Sequence, residues 1–171
     1  VGANGSGKTM LLRAIAGLLH LDSGSIIYHR PMAKGVIIEN PAFLNDLTGF
    51  DNLRYLASFR GIISDAHIRQ VMENVLLDPD DRRKVKTYSL GMKQKLRIIQ
   101  AIMENPNILI LDEPFDALDK QAKQIMQNYL NDFIKKENHY LIYTSHSNEH
   151  KEFADVIYSI DAKTIKEIKN V

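Results

Sequence analysis

The sequence has 171 residues, 44% hydrophobic and 25% charged, a length and balance that suit one globular domain and exclude a disordered chain. A formal net charge of +1 is too balanced to advertise a polyanion, so no nucleic-acid partner is expected. Lack of cysteine excludes disulfides and thiolate metal sites, and no apolar run approaches the roughly 18 residues a membrane-spanning helix needs.

Gly2-Ala3-Asn4-Gly5-Ser6-Gly7-Lys8-Thr9 fits the spacing G-x-x-x-x-G-K-[ST] in full. Such a loop joins a strand to a helix, and only Val1 stands before it. The chain therefore reads as a fragment whose N-terminal strands are missing, with weakened nucleotide affinity expected of the piece. From Lys8 to Leu19 the apolar residues follow one broad helical stripe, which Asp22-Ser23-Gly24 ends. Ile26 to Tyr28 and Val36 to Ile38 read as short strands. Helices are predicted at about Asp51 to Phe59 and Asp65 to Leu77, the second capped by Ser64. The charged stretch Asp80 to Lys86 reads as a solvated loop or helix end.

A helix from about Met92 to Glu104, stopped by Asn105-Pro106, precedes the fully apolar strand Ile108 to Leu111. A long helix (Lys120 to Lys136), the strand Tyr140 to Thr144, a short helix after Ser147 and the strand Val156 to Ile160 complete the order. Alternating strands and helices predict an α/β fold with a mostly parallel sheet covered on both faces. Residues 1–40 and 105–171 would form the sheet core, and about 41–104 an inserted helical subdomain.

The loop residues Gly2, Asn4, Gly5, Ser6, Gly7, Lys8 and Thr9 are candidate nucleotide ligands. Glycines let backbone amides approach phosphates, and the following helix start aims its free amides at the same anion. Lys8 would hold the terminal phosphates and the Thr9 hydroxyl would bind Mg²⁺. Asp112 and Glu113 emerge at the C-terminal end of an apolar strand, where open α/β sheets bind ligands. Asp112 suits Mg²⁺, and Glu113 suits a general base that polarises water. The bland alternative makes both carboxylates simple helix caps.

With Tyr88-Ser89-Leu90-Gly91-Met92-Lys93-Gln94 the chain resembles the ABC ATPase family, over essentially its whole length. This segment is similar to that family's signature motif, commonly Leu-Ser-Gly-Gly-Gln, although Tyr88, Leu90 and Met92 depart from it. The resemblance implies a P-loop NTPase fold in which Ser89 and Gly91 reach the ATP held by a second ATPase subunit. It further implies that Asp119, in Asp116-Ala117-Leu118-Asp119, lies at the contact between two subunits, and that His146 is the switch histidine supporting the γ-phosphate. Asp119 also suits a helix cap. Glu39 stands where the family usually has Gln, so it would lie near Mg²⁺ with added negative charge. Glu113, His146 and Lys8 would be catalytic, and Thr9, Asp112 and Glu39 would face the metal.

The resemblance implies an ATP- and Mg²⁺-dependent ATPase that powers a transporter, as a homo- or heterodimer beside a transmembrane permease at the cytoplasmic face of the membrane. The forms of the Tyr88 and Glu39 segments resemble those of peptide-antibiotic exporters. A non-transport ABC ATPase acting on DNA or ribosomes, a phosphate-loop kinase and a catalytically inert nucleotide-responsive module are the alternatives.

Overall fold

β2 (Ile108–Leu111) is buried at all four positions, as consecutive apolar residues must be in a parallel sheet covered on both sides. It lies between β1 (Lys34–Ile37) and β3 (Tyr140–Tyr143), parallel to both, with Leu111 opposite Ile37 on one side and Tyr143 on the other. The computed structural model describes residues 1–39, 42–146, 154–161 and 164–168. Side chains alternate across the sheet. Ile108 and Ile110 pack with Leu12 of α1 (Lys8–Ala16), and Leu109 and Leu111 join the larger core on the opposite face.

That core also takes Leu96, Ile98 and Ile99 from α4 (Leu90–Ile102), and Met126 and Leu130 from α5 (Lys120–Ile134). Each fully buried side chain of this size contributes roughly 1.5–3 kcal/mol through area removed from water. Leu53 of α2 (Gly49–Ser58) and Ile68 and Met72 of α3 (Asp65–Asn74) extend the same cluster. Both helices begin on capping hydroxyls: Thr48 accepts the Asp51 amide, and Ser64 accepts the His67 amide as its sequence position predicts. The charged stretch holds only a single 3-10 turn, Val85–Thr87, before α4. Tyr88 is buried beneath the start of α2, where its hydroxyl accepts the Gly49 amide at 3.3 Å. A signature position usually filled by Leu thus serves the core here.

Several boundaries differ from the sequence expectation. α1 stops at Ala16, because Gly17 closes the last turn onto the Ala14 and Arg13 carbonyls, so Leu18 and Leu19 lie outside it. Ile26 to Tyr28 forms no strand. A strand exists only as a paired ladder, and this run pairs with none among the described residues; Ile27 is 76% exposed. Tyr28 instead donates its hydroxyl to the Ile15 carbonyl and lays its ring under the Lys34 ammonium. β1 starts two residues early because its register follows β2, Lys34 opposite Ile108. The short helix expected after Ser147 falls outside the described residues.

β4 (Ile157–Asp161) pairs antiparallel with β5 (Thr164–Ile168), a hairpin the sequence pattern did not announce. Val1 lies alongside β4: its amino group donates to the Tyr158 carbonyl, and its own carbonyl accepts the Ile160 amide. The phosphate loop therefore starts beside β4 and ends in a helix packed on β2.

Candidate functional site

Lys8, the first residue of α1, is a buried charge, and a buried ammonium has to be hydrogen-bonded. It donates to the carbonyls of Gly2 (2.8 Å) and Ala3 (3.0 Å), and reaches Nδ1 of His146 at 3.4 Å. Among the described residues, the Ser6 hydroxyl is buried without a hydrogen-bond partner. The first amides of α1 have no carbonyl one turn earlier to bind. A cation, an orphan hydroxyl and free amides converging on one turn fit the oxygens of a polyphosphate.

The acidic strand end meets this loop from the side. Thr9 donates its hydroxyl to Asp112 Oδ2 at 2.7 Å. The Thr144 hydroxyl donates to the other Asp112 oxygen and accepts the Glu113 amide at 3.0 Å. Parallel register delivers these groups together: the Asp112 amide donates to the Ile37 carbonyl, and the Thr144 amide to the Leu111 carbonyl. Hydroxyl and carboxylate oxygens so gathered fit Mg²⁺, a hard cation that prefers oxygen ligands.

Glu113 has φ of 49°, the left-handed region, and stands before Pro114. Proline disfavours helical backbone at the preceding residue, and a left-handed non-glycine residue costs of order 1–3 kcal/mol. The Glu113 carboxylate contacts Nε2 of His146. Burial pushes the Glu113 carboxyl above the usual glutamate range; a hydrogen bond with Asp116 adds to the rise, and His146 opposes it. An ammonium can only donate, so the Lys8 contact makes Nδ1 of His146 the acceptor and leaves the proton on Nε2, facing Glu113.

That tautomer decides the character of Glu113, Asp116 and His146, whose ligand atoms lie within 4.8 Å of one another. The imidazole nitrogen facing the carboxylates has no free lone pair, and Lys8 places positive charge behind it. In the trio, Nε2 of His146 faces the Glu113 carboxylate, which Asp116 also meets.

The other candidates lie outside this junction. Glu39, at φ 64°, pairs with Arg13 of α1, one helical turn beyond Thr9. Ser89 caps α4 by accepting the Met92 amide at 3.2 Å, and Gly91 lies against the Ala117 carbonyl. Asp119 caps α5 by accepting the Ala122 amide at 2.8 Å, so its role as a helix cap is present here. Asn4 sits exposed in the turn between Gly2 and Gly5.

A family model described as "ABC transporter" matches residues 1–116. The chain belongs to the ABC transporter ATP-binding family. It is 38% identical, over 97% of its own length, to an uncharacterized ABC transporter ATP-binding protein, YdbJ, of Bacillus subtilis (strain 168), of which it covers 58%. It is 34% identical to the bacitracin transport ATP-binding protein BcrA of Enterococcus faecalis, covering 92% of this chain and 54% of that protein. Identity to the lantibiotic transport ATP-binding protein SrtF of Streptococcus pyogenes is 35%, covering 92% and 71%. A solved structure described as a dimeric post-hydrolysis state of an ATP-binding cassette bound to ADP and Pi superposes with a TM-score of 0.85 at 19% identity, over 99% of this chain and 84% of that one. This likeness shows the fold, a P-loop NTPase cassette.

Some contacts of this ABC cassette escaped the sequence reading. Thr144 bridges Asp112 and Glu113, although only its place after an apolar strand marked it. Asp116 reaches back to Glu113, three residues earlier. Gln94 and Arg13 carried no local signal, because their partners Pro114 and Glu39 lie 20 and 26 residues away.

Proposed function

We propose that this chain is the ATP-binding and ATP-hydrolysing part of an ABC transporter, and that the transporter is an exporter. The observation that carries the reading is the junction of Lys8, Thr9, Asp112, Glu113 and His146, brought from one helix start and two parallel strand ends into mutual contact. Lys8 and the loop amides hold the phosphates, while Thr9 and Asp112 hold Mg²⁺, which supplies charge neutralisation at the phosphate oxygens. Glu113 accepts the proton of the attacking water, and His146 orients that carboxylate through its Nε2 proton. The relatives named for bacitracin and lantibiotic transport favour export of a peptide-like cargo.

Ser89 and Gly91 sit at the start of a different helix, consistent with service to the nucleotide of a second cassette. Residues 41–104 form the helical subdomain in this reading, and with Glu39 they carry motion to a transmembrane permease. Among the described residues, no helix is long and apolar enough to cross a membrane. A place at the cytoplasmic face beside such a permease follows from the proposed role.

The test is ATP turnover and oligomeric state of the full-length protein and its Glu113→Gln variant. The variant is expected to keep ATP, form ATP-dependent dimers and lose turnover by about 100-fold or more. Undiminished turnover in the variant refutes Glu113 as the base. Failure of the parent to hydrolyse, with or without its membrane partner, favours a nucleotide-responsive module instead.

A further inference from the structure

Glu113 combines a left-handed backbone with a following proline, so its position has to be imposed by its surroundings. Its amide is held by Thr144 and its carboxylate by His146. The third hold falls on the next residue. Gln94 of α4 is buried, 5% exposed, and its Nε2 donates to the Pro114 carbonyl at 2.9 Å. The Arg97 Nη1 donates to Gln94 Oε1 at 3.0 Å. Guanidinium can only donate, so this contact fixes which end of the amide faces Pro114. At the head of the same helix, a Cβ added at Gly91 would lie 3.2 Å from the Ala117 carbonyl, so α4 meets residues 114–117 at two points.

We infer that Gln94, oriented by Arg97, is a positioning residue that ties the start of α4 to the Glu113-Pro114 turn and sets where the Glu113 carboxylate stands. A displacement of α4 is thereby passed through a buried hydrogen bond to the water-activating group, without a contact between Gln94 and nucleotide. The inference rests on Glu113 being the general base. Nothing about Gln94 binds phosphate, so its loss belongs in kcat rather than in nucleotide affinity.

The experiment uses the full-length protein with four substitutions, and measures steady-state ATP hydrolysis, ATP binding and thermal unfolding for each. Gln94→Met keeps length and volume but cannot donate, and is expected to lower kcat by about 10- to 100-fold, the scale of a misplaced reacting group, with KM for ATP within about twofold. Arg97→Met removes only the orienting donor and is expected to give a smaller kcat loss, about three- to tenfold, because the amide can then flip. Arg97→Lys keeps a donor and is expected to recover most of that loss. If Gln94→Met fails to fold, the Arg97 pair carries the test alone. Unchanged kcat in folded Gln94→Met, a loss confined to KM, or equal losses for Arg97→Met and Arg97→Lys overturns the inference. The fourth variant, Glu113→Gln, separates the two claims: if it retains turnover the base assignment has failed, and if it alone is inactive the Gln94 link has failed.

Discussion

The phosphate loop, with three glycines, and the start of α4, with one, are both helix N-termini, yet they are built oppositely. Around Lys8 the groups are already wired together: its ammonium binds two loop carbonyls and His146, and Thr9 and Thr144 grip Asp112 from two sides. Around Ser89 there is a helix cap and a neighbouring carbonyl, and the intervening Leu90 is 65% exposed. The first end holds its cation, hydroxyls and carboxylate already in contact with partners. The second is a capped helix start whose first amides have no carbonyl one turn earlier to bind, which fits the proposed service to a nucleotide held by another subunit.

The largest break in this contrast comes from Lys8→Met. Removing the one buried cation of the wired end is expected to cut ATP affinity and turnover together, turnover by at least about 100-fold, as isothermal titration and phosphate release would read. Retained affinity would mean that the loop amides suffice. Thr144→Val comes next, because one hydroxyl serves both Asp112 and Glu113. Leaving the Glu113 amide without a partner is expected to cost about 1–3 kcal/mol in urea unfolding and about tenfold or more in turnover. Ser89→Ala tests the outward end: about 1 kcal/mol of cap energy is lost, ATP binding by separated subunits stays within about twofold, and hydrolysis falls by about tenfold. Equal effects on binding and hydrolysis would erase the distinction between the two ends.

The smallest effect concerns pH. A general base works deprotonated, and the Glu113 carboxyl is raised above the usual range, first by burial and then by Asp116. Turnover is therefore expected to fall, as pH drops, at a higher pH than an ordinary glutamate would dictate. Asp116→Asn removes one raising cause and should move that acid limb downward in a pH–rate profile. An unmoved limb would leave the rise to burial and the neighbouring Asp112 charge.

Local chemistry was legible in the sequence. The phosphate loop, the apolar strand with Asp112 and Glu113, and the capping residues Ser64 and Asp119 depend on neighbours a few positions away, and each appears where the pattern put it. Long-range pairing was not. Ile26 to Tyr28 has strand composition, but composition cannot supply a ladder partner. The β4–β5 hairpin was hidden because every position of β5 is exposed, which removes the hydrophobic alternation that advertises a strand. At the site, the types of the chemical residues could be read, whereas the contact of His146 with Lys8, 138 residues away, could not. Glu39 lay between these cases: its departure from the family's Gln was visible, and its pairing with Arg13 was not.

The burial of Tyr88 limits the order in which this sequence can change. A Cβ at Gly49 would stand 2.7 Å from the Tyr88 hydroxyl oxygen, while the Gly49 amide donates to that same oxygen. A side chain at position 49 therefore requires the Tyr88 ring to shift, and the three atoms nearest the added carbon all belong to that ring and its hydroxyl. The two sites are thereby coupled in mutational space: Gly49→Ala made first meets the Tyr88 hydroxyl, and made after Tyr88→Leu it no longer does. A lineage holding tyrosine in the signature segment is in this way bound to a glycine 39 positions earlier, at the start of a different helix.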